Sequence, residues 1–208
     1  MTRDDIQTVH DDIAYMRALA VDGRRAPLLG GSILIAAGLL FGSASIAHYG
    51  IDSGIVDLPP VAYAWLWGAV FLAFIVALNV LQRRIGKLPG ATSLANRAAG
   101  TAWMGVGLVI FTGSISMAII GWKYDTAIPA LLFPSLIFAV YGAGWAVSAT
   151  VSGVKWQWAL AIAAWIAAPA LAFLAGEPTL WLAYAAGLFL FALLPGILLV
   201  RQQPSLVV

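Results

Sequence analysis

Six long apolar runs alternate with short polar segments along this sequence. The runs cover approximately residues 27–48, 60–81, 101–122, 127–149, 157–175 and 179–200. Each approaches the roughly 20 residues that an α-helix needs to cross the hydrocarbon core of a bilayer. The pattern therefore predicts an all-α polytopic membrane helix bundle with six transmembrane helices, of which the fifth is the shortest.

Charged residues are segregated between alternate polar segments. The segments after the first, third and fifth runs contain Asp52, Asp57, Asp125 and Glu177, with Lys123 as their single basic residue. The other ten basic residues are Arg3, Arg17, Arg24, Arg25, Arg83, Arg84, Lys87, Arg97, Lys155 and Arg201. Because cytoplasmic loops are enriched in Lys and Arg, the sequence predicts an integral plasma (inner) membrane protein with both termini in the cytoplasm.

The short outer loops arrange the predicted helices as three out-and-back hairpins. We expect residues 1–26 to form a cytoplasmic amphipathic helix and its anchor, residues 27–200 the transmembrane domain, and residues 201–208 a cytoplasmic tail. The lipid bilayer then surrounds most of the chain.

Composition narrows the possible functions. The chain is 62% hydrophobic and 10% charged, whereas soluble domains carry about 25% charged residues. No ionisable Asp, Glu, Lys or Arg falls inside the six runs, which disfavours proton relays and ion-coupled transport. There is no cysteine, no basic stripe for nucleic acid and no recognisable catalytic pattern. We therefore expect a non-enzymatic protein without cofactor, metal site or nucleic-acid partner.

Two stretches of small residues share one skeleton. "GSASIAHYG" covers 42–50 and "GSISMAIIG" covers 113–121, at the outer ends of the first and third predicted helices. The match indicates a hairpin repeated in parallel orientation, or a coincidence among abundant small residues. In either case small residues let helices approach closely in lipid. We expect both helices to be internal, with packing positions at Gly38, Gly42, Ser43, Ser45, Ala47, Gly50, Gly113, Ser114, Ser116 and Gly121.

The N-terminal segment carries an amphipathic pattern. Ile6, Val9, Ile13 and Met16 recur at helical spacing, and the opposite face is acidic. An acidic helix is repelled by the anionic cytoplasmic leaflet, so this stripe favours protein contact. It could bind a second copy of the chain or a cytoplasmic protein, or pack against the protein's own inner loops.

Several polar and aromatic side chains within the runs are candidates for ligand contact: His48, Asn79, Tyr141, Trp145 and Trp165. A histidine is the side chain that titrates near neutrality, so His48 at the outer rim could sense pH or bind a ligand, but we favour a rim residue hydrogen-bonded to a loop. An in-span asparagine usually binds a neighbouring helix. The aromatic residues either line a pocket or fill the bundle.

Three functions fit these features. The first is an interaction or regulatory component that acts through the N-terminal helix. The second is a passive transporter or channel for a small neutral or apolar solute, motivated by prolines within the spans at Pro134, Pro169 and Pro195. The third is a sensor at the outer rim, where His48, Tyr49, Trp65 and Trp122 are expected to cluster.

Overall fold

A computed structural model describes His10, Ile13 and residues 27–203. Its described residues form helices and contain no strand, which confirms the all-α prediction for that part of the chain. The helices are α1 (Gly31–Asp52), α2 (Val61–Ile85), α3 (Leu94–Tyr124), α4 (Ile128–Ser152), α5 (Trp156–Ala172) and α6 (Thr179–Arg201).

Five of these helices are long and apolar enough to cross a membrane, namely α1, α2, α3, α4 and α6. The apolar α5 is shorter, at 17 residues, or about 26 Å at 1.5 Å per residue. The protein is therefore a membrane-embedded bundle of apolar helices.

Helix α3 begins earlier than the hydrophobic pattern predicts. Its first residue is Leu94 instead of the expected 101, because the Ser93 hydroxyl accepts a hydrogen bond from the Asn96 amide at 3.3 Å and caps the helix. The 31-residue helix is about 46 Å long. Since this exceeds the hydrocarbon thickness of about 30 Å, its polar first turns extend beyond the apolar span.

Helix α6 changes its hydrogen-bonding pattern in the middle. It consists of α-helical Thr179–Leu188, a π-helical turn at Phe189–Leu193, and α-helical Leu194–Arg201. Pro195 lies two residues after the end of this turn. A proline supplies no N–H to the carbonyl four residues earlier, which here is that of Phe191.

Helix α1 packs between α2 and α6. Its contact with α6 is made by backbone, because glycines stand where the two helices meet. A Cβ on Gly38 would lie 2.7 Å from the Leu193 amide nitrogen, and a Cβ on Gly31 would lie 2.6 Å from the Gly196 carbonyl oxygen. Only glycine permits this separation, which is how small residues join helices in lipid.

Helix α4 packs against three neighbours through large rings placed on glycines. Its Phe138 side chain lies on Gly187 of α6, and its own Gly142 receives the Trp165 ring of α5. On the third side, the Trp103 ring of α3 lies beside Gly144. The core formed around α4 includes the fully buried Trp145.

The helices do not associate simply as three successive hairpins. The closest packing in the second half joins α4 to α5, whereas α5 and α6 touch sparingly and α6 lies along α1. An apolar groove of about 290 Å³ separates α5 from α6 on one side. Sequence neighbours are thus not always the main packing partners.

Helices α2 and α3 lie at the periphery. No residue of α2 is buried, and α3 buries only Ala95, Ala99 and Val106. The expectation that the third predicted helix is internal is therefore wrong for this bundle. Its glycines do not produce an internal position, because Gly105 and Gly107 face no neighbouring atom within 4 Å of a Cβ position.

The two ends of the bundle differ in charge. One end, called the basic end below, carries the described residues Arg83, Arg84, Lys87, Arg97, Lys155 and Arg201. The opposite acidic end carries Asp52, Asp57, Asp125 and Glu177. At the basic end Asn96 connects α3 to the segment before α1, since its Oδ1 accepts from the Leu29 amide at 2.9 Å and its Nδ2 donates to the Pro27 carbonyl at 3.1 Å.

Candidate functional site

The most specific side-chain cluster in the acidic half of the bundle surrounds His48 on α1. Its imidazole stacks on Trp181 of α6 with ring centroids 3.7 Å apart and an interplanar angle of 26°. The Trp67 indole of α2 donates from Nε1 to His48 Nδ1 at 3.0 Å. Tyr63 completes the contact, with its ring centroid 4.5 Å from that of His48. We call these four residues the rim cluster.

The rim cluster connects three helices that are distant in sequence. His48 is partly buried and Trp181 is 9% exposed, so the ring contacts are shielded. The bond from Trp67 requires an unprotonated Nδ1, which fixes the neutral imidazole with its proton on Nε2. The cluster can therefore hold α2 and α6 against α1, and protonation of Nδ1 would remove the acceptor.

The predicted rim partners of His48 are wrong in part. Trp65 and Trp122 are 74% and 86% exposed, so they do not join His48. Trp65 lies two residues from both Tyr63 and Trp67, which places it on the far side of a helix with 3.6 residues per turn. The spacing of Tyr63 and Trp67, four residues apart, was the sequence signal for the face that meets His48.

Trp145 has a specific structural role. Its indole Nε1 donates at 2.9 Å to the Phe191 carbonyl, which lies in the π-helical turn four residues before Pro195, where the proline supplies no backbone N–H. The side chain is fully buried. An in-span proline of α6 is thus matched by a hydrogen bond from α4, as required where water is absent.

The other aromatic candidates fill the bundle. Tyr141 is 7% exposed and meets Trp103 edge to face at 5.4 Å between centroids. Trp165 lies on a different side of α4, where its Nε1 donates to the Ala139 carbonyl at 3.1 Å. Tyr141, Trp145 and Trp165 therefore do not form one pocket.

Asn79 makes no contact of the kind expected for interhelical binding. It lies on the exposed face of α2, and its Nδ2 donates to the Ile75 carbonyl of its own helix at 2.8 Å. The structure does not bring Asn79 close to His48, which lies near the opposite end of the hairpin.

The two strings of small residues occupy different environments. In α1, Gly38, Gly42 and Ser45 are buried, whereas Ser43 and Ala47 are exposed and Gly50 lies beside Val56. Of the predicted packing positions in α1, Ser43 and Ala47 are therefore wrong, because they lie on the exposed side of the helix. In α3, Gly113 lies beside Leu136 of α4. The remaining positions of that string are Ser114 and Ser116, which donate to their own helix, and Gly121, which lies beside Thr126.

The predicted partner-binding stripe lies mostly outside the described residues. Ile6, Val9 and Met16 belong to the part that the structure does not describe. Ile13 is described, is helical and is 40% exposed. His10 is likewise helical and exposed.

Sequence reasoning missed Gln157. This residue belongs to the first turn of α5 at the basic end and is 1% exposed, with its Oε1 3.1 Å from the Ser152 hydroxyl. A glutamine at the boundary of a predicted span is expected to face solvent, so the hydrophobic pattern did not indicate that Gln157 is buried. Asn96, whose hydrogen bonds connect α3 to the chain before α1, was missed because its segment was interpreted as a loop.

The described residues contain no group of three or more His, Asp or Glu side chains that could hold a metal ion. The arrangement can instead hold helices together, accept or donate hydrogen bonds at its ends and present apolar surface to lipid. No protein-family model, curated protein or solved structure matches the chain.

Proposed function

We propose that this protein is a non-enzymatic multi-pass membrane component of the plasma (inner) membrane that acts by binding a protein partner. It has six transmembrane helices with both termini in the cytoplasm. The partner is a second copy of the chain or a cytoplasmic protein, and the N-terminal amphipathic helix provides the contact.

The path of the chain supports six spans. Helix α4 ends at the basic end, where Ser152 contacts Gln157. Helix α6 begins near the acidic end, where Trp181 stacks on His48. The chain between them must return from one end to the other, and α5 is the helix that covers this distance. Its length of about 26 Å is close to the hydrocarbon thickness of about 30 Å.

The segregation of charge supports the orientation. Every described basic residue except Lys123 belongs to the basic end, and Lys and Arg favour the cytoplasmic side. The chain has no cysteine, so a single introduced cysteine is the only site of thiol labelling. Lys155→Cys places it before α5 and Glu177→Cys places it after α5. A membrane-impermeant maleimide should label Glu177→Cys in intact cells, and Lys155→Cys only after permeabilisation. Labelling of both from the same side would contradict the six-span topology.

The exposed apolar side chain of Ile13 is the observation that carries the binding proposal. It lies in a helix, is 40% exposed and belongs to the stripe of the N-terminal segment. The interior of the bundle supports a binding function over a transport function, because Trp145, Phe138 and Leu180 fill it at 1% exposure or less. A passive transporter needs a polar path, and its test is flux of neutral solutes into liposomes.

Ile13→Asp tests the proposal. The protein is purified in mild detergent from its native membrane, and its oligomeric state and stoichiometric partners are measured by light scattering and mass spectrometry. Ile13→Asp should release the partner or dissociate the oligomer, whereas Ile13→Leu should not. The matched control is Ile55→Asp, the same change at a 70% exposed position in the loop after α1. A monomer without partners, unaffected by Ile13→Asp, would refute the proposal.

The rim cluster favours one second candidate, a sensor at the outer surface. Its revised site is His48 with Trp67 and Trp181, and the bond from Trp67 Nε1 to His48 Nδ1 is the interaction that a proton would disrupt. A sensor should change its partner binding on acidification in the wild type and not in His48→Phe. Identical responses of the two proteins would exclude this role.

A further inference from the structure

A cavity of about 280 Å³ lies at the basic end of the bundle. It is formed where the chain enters α1, where α4 turns into α5 and where α6 ends. Leu28 and Leu199 supply an apolar wall, both nearly fully buried, and exposed Gln202 stands at its edge. The cavity therefore combines shielded apolar surface with an opening at the basic end of the bundle.

The polar lining includes Gln157, a buried residue whose amide N–H groups have no acceptor in the part of the chain that the structure describes. Gln157 is 1% exposed, and its Oε1 lies 3.1 Å from the Ser152 hydroxyl. Its Nε2 has no acceptor among residues 27–203. The Ser152 hydroxyl has one proton, and it can donate that proton to the Ser148 carbonyl at 2.7 Å. The Gln157 amide can then be turned over so that its Nε2 donates to the Ser152 oxygen. In that orientation the second N–H and Oε1 of Gln157 both lack a partner within that range, so the amide still offers a donor.

Gln157 lines the cavity with an amide N–H that has no acceptor among residues 27–203, so the cavity is suited to a ligand that supplies an acceptor oxygen. The surrounding charge defines which acceptor is favoured. The described residues place six basic side chains and no acidic one at this end. In sequence, Arg24 and Arg25 also closely precede Pro27 and Leu28, which line the cavity. A phosphate oxygen combines an acceptor with negative charge and meets both conditions.

We infer that this cavity is a binding site for a phosphate group, held by Gln157 in the basic field and carried by an anionic phospholipid. The apolar wall of Leu28 and Leu199 contacts the start of an acyl chain, and the headgroup reaches the interface beside Gln202. Basic pockets between helices at the cytoplasmic side are suited to anionic lipid headgroups on electrostatic grounds.

The test uses the full chain purified in detergent and titrated with dioleoylphosphatidylglycerol or dioleoylphosphatidylcholine, with bound lipid counted by native mass spectrometry. The anionic lipid should bind at least about tenfold more tightly than the zwitterionic lipid. Gln157→Leu should reduce this binding about tenfold, since a hydrogen bond to a charged group is lost. Gln202→Glu should weaken it similarly by adding negative charge at an exposed position that does not affect folding. Asn79→Leu, which removes an exposed amide on α2, should bind as the wild type does.

Equal binding of the two lipids, or unchanged phosphatidylglycerol binding in Gln202→Glu and in folded Gln157→Leu, would overturn the inference. Inorganic phosphate distinguishes the source of the group. If it displaces the lipid, the site accepts phosphate from soluble compounds as well; if it does not, the acyl chain is required. Neither readout involves Ile13, so this inference and the proposed partner binding can fail separately.

Discussion

The hydrogen bond from Trp145 to the Phe191 carbonyl gives the sharpest test of how this bundle is held together. Trp145→Phe keeps an aromatic ring but removes the N–H that reaches the Phe191 carbonyl, in the turn where Pro195 supplies no backbone N–H. Because the side chain is 0% exposed, water does not replace the lost bond. The substitution should therefore destabilise the fold.

Its magnitude follows from two terms. The lost interhelical hydrogen bond contributes about 1–2 kcal/mol, the upper range for membrane proteins, since the acceptor is left unpaired. The smaller ring leaves roughly 40 Å³, which costs about 1 kcal/mol at about 24 cal/mol per Å³. The expected loss in free energy of unfolding is about 2–3 kcal/mol.

Two comparisons isolate the hydrogen-bond term. Trp165→Phe is the first comparison, because its Nε1 also bonds a carbonyl, that of Ala139, but this carbonyl keeps the helical donor four residues later, the amide of Ala143. Trp165 is 42% exposed, so this variant also loses less packing than Trp145→Phe. It should cost under about 1 kcal/mol. In the Pro195→Ala background residue 195 regains an N–H, so Trp145→Phe should cost about 1 kcal/mol less there.

The assay is reversible unfolding in mixed micelles with increasing denaturing detergent, followed by circular dichroism. Equal losses for Trp145→Phe and Trp165→Phe would refute the reasoning. So would a loss for Trp145→Phe that is the same with proline and with alanine at 195.

Three further predictions use the same unfolding assay. Gly38→Ala should lower the free energy of unfolding by about 1–3 kcal/mol, because the added Cβ would clash with the backbone of α6. Gly107→Ala should be neutral or slightly stabilising, because its Cβ would meet open space. Equal effects of the two substitutions would contradict the close α1–α6 contact. Asn96→Ala should cost about 1–2 kcal/mol because it leaves partly buried backbone groups unpaired. Asn79→Ala should cost under about 0.5 kcal/mol, and the reverse order would disprove the role given to Asn96. His48→Phe should cost about 1 kcal/mol, since stacking is kept and the acceptor for the α2 indole is lost, and no loss would show that this bond is dispensable.

The helices themselves were predictable because, in lipid, each spanning segment must form the hydrogen bonds of its own backbone N–H and C=O groups. Five of the six predicted runs correspond to helices long enough to span, with bounds that differ by a few residues. The start of α3 is the main exception. A serine cap and a polar first turn extend a helix beyond the apolar run, and hydropathy alone does not record this.

The candidate site was predictable only as single residues. His48 was identified because ionisable groups are rare inside the spans, but its partners on α2 and α6 were not. Choosing Trp67 over Trp65 requires the rotation of α2 about its axis, and choosing Trp181 requires that α6 lies beside α1. In lipid neither is fixed by hydrophobicity, since the exposed and packed faces are equally apolar.

The sequence by itself determined that this is a membrane protein, how many apolar runs it has, and that charge is segregated between the two ends. These features follow from the free energy of transferring each segment from water to lipid, which depends only on the residues of that segment. The tertiary structure decided which small residues meet a neighbour, as at Gly38 but not Gly107. It also decided where a freed carbonyl finds a donor, as for Phe191 and Trp145, and that Gln157 is buried. These outcomes depend on contacts between segments that are distant in sequence. Packing geometry decides which faces of the helices meet, because the packed and the exposed faces are similarly hydrophobic.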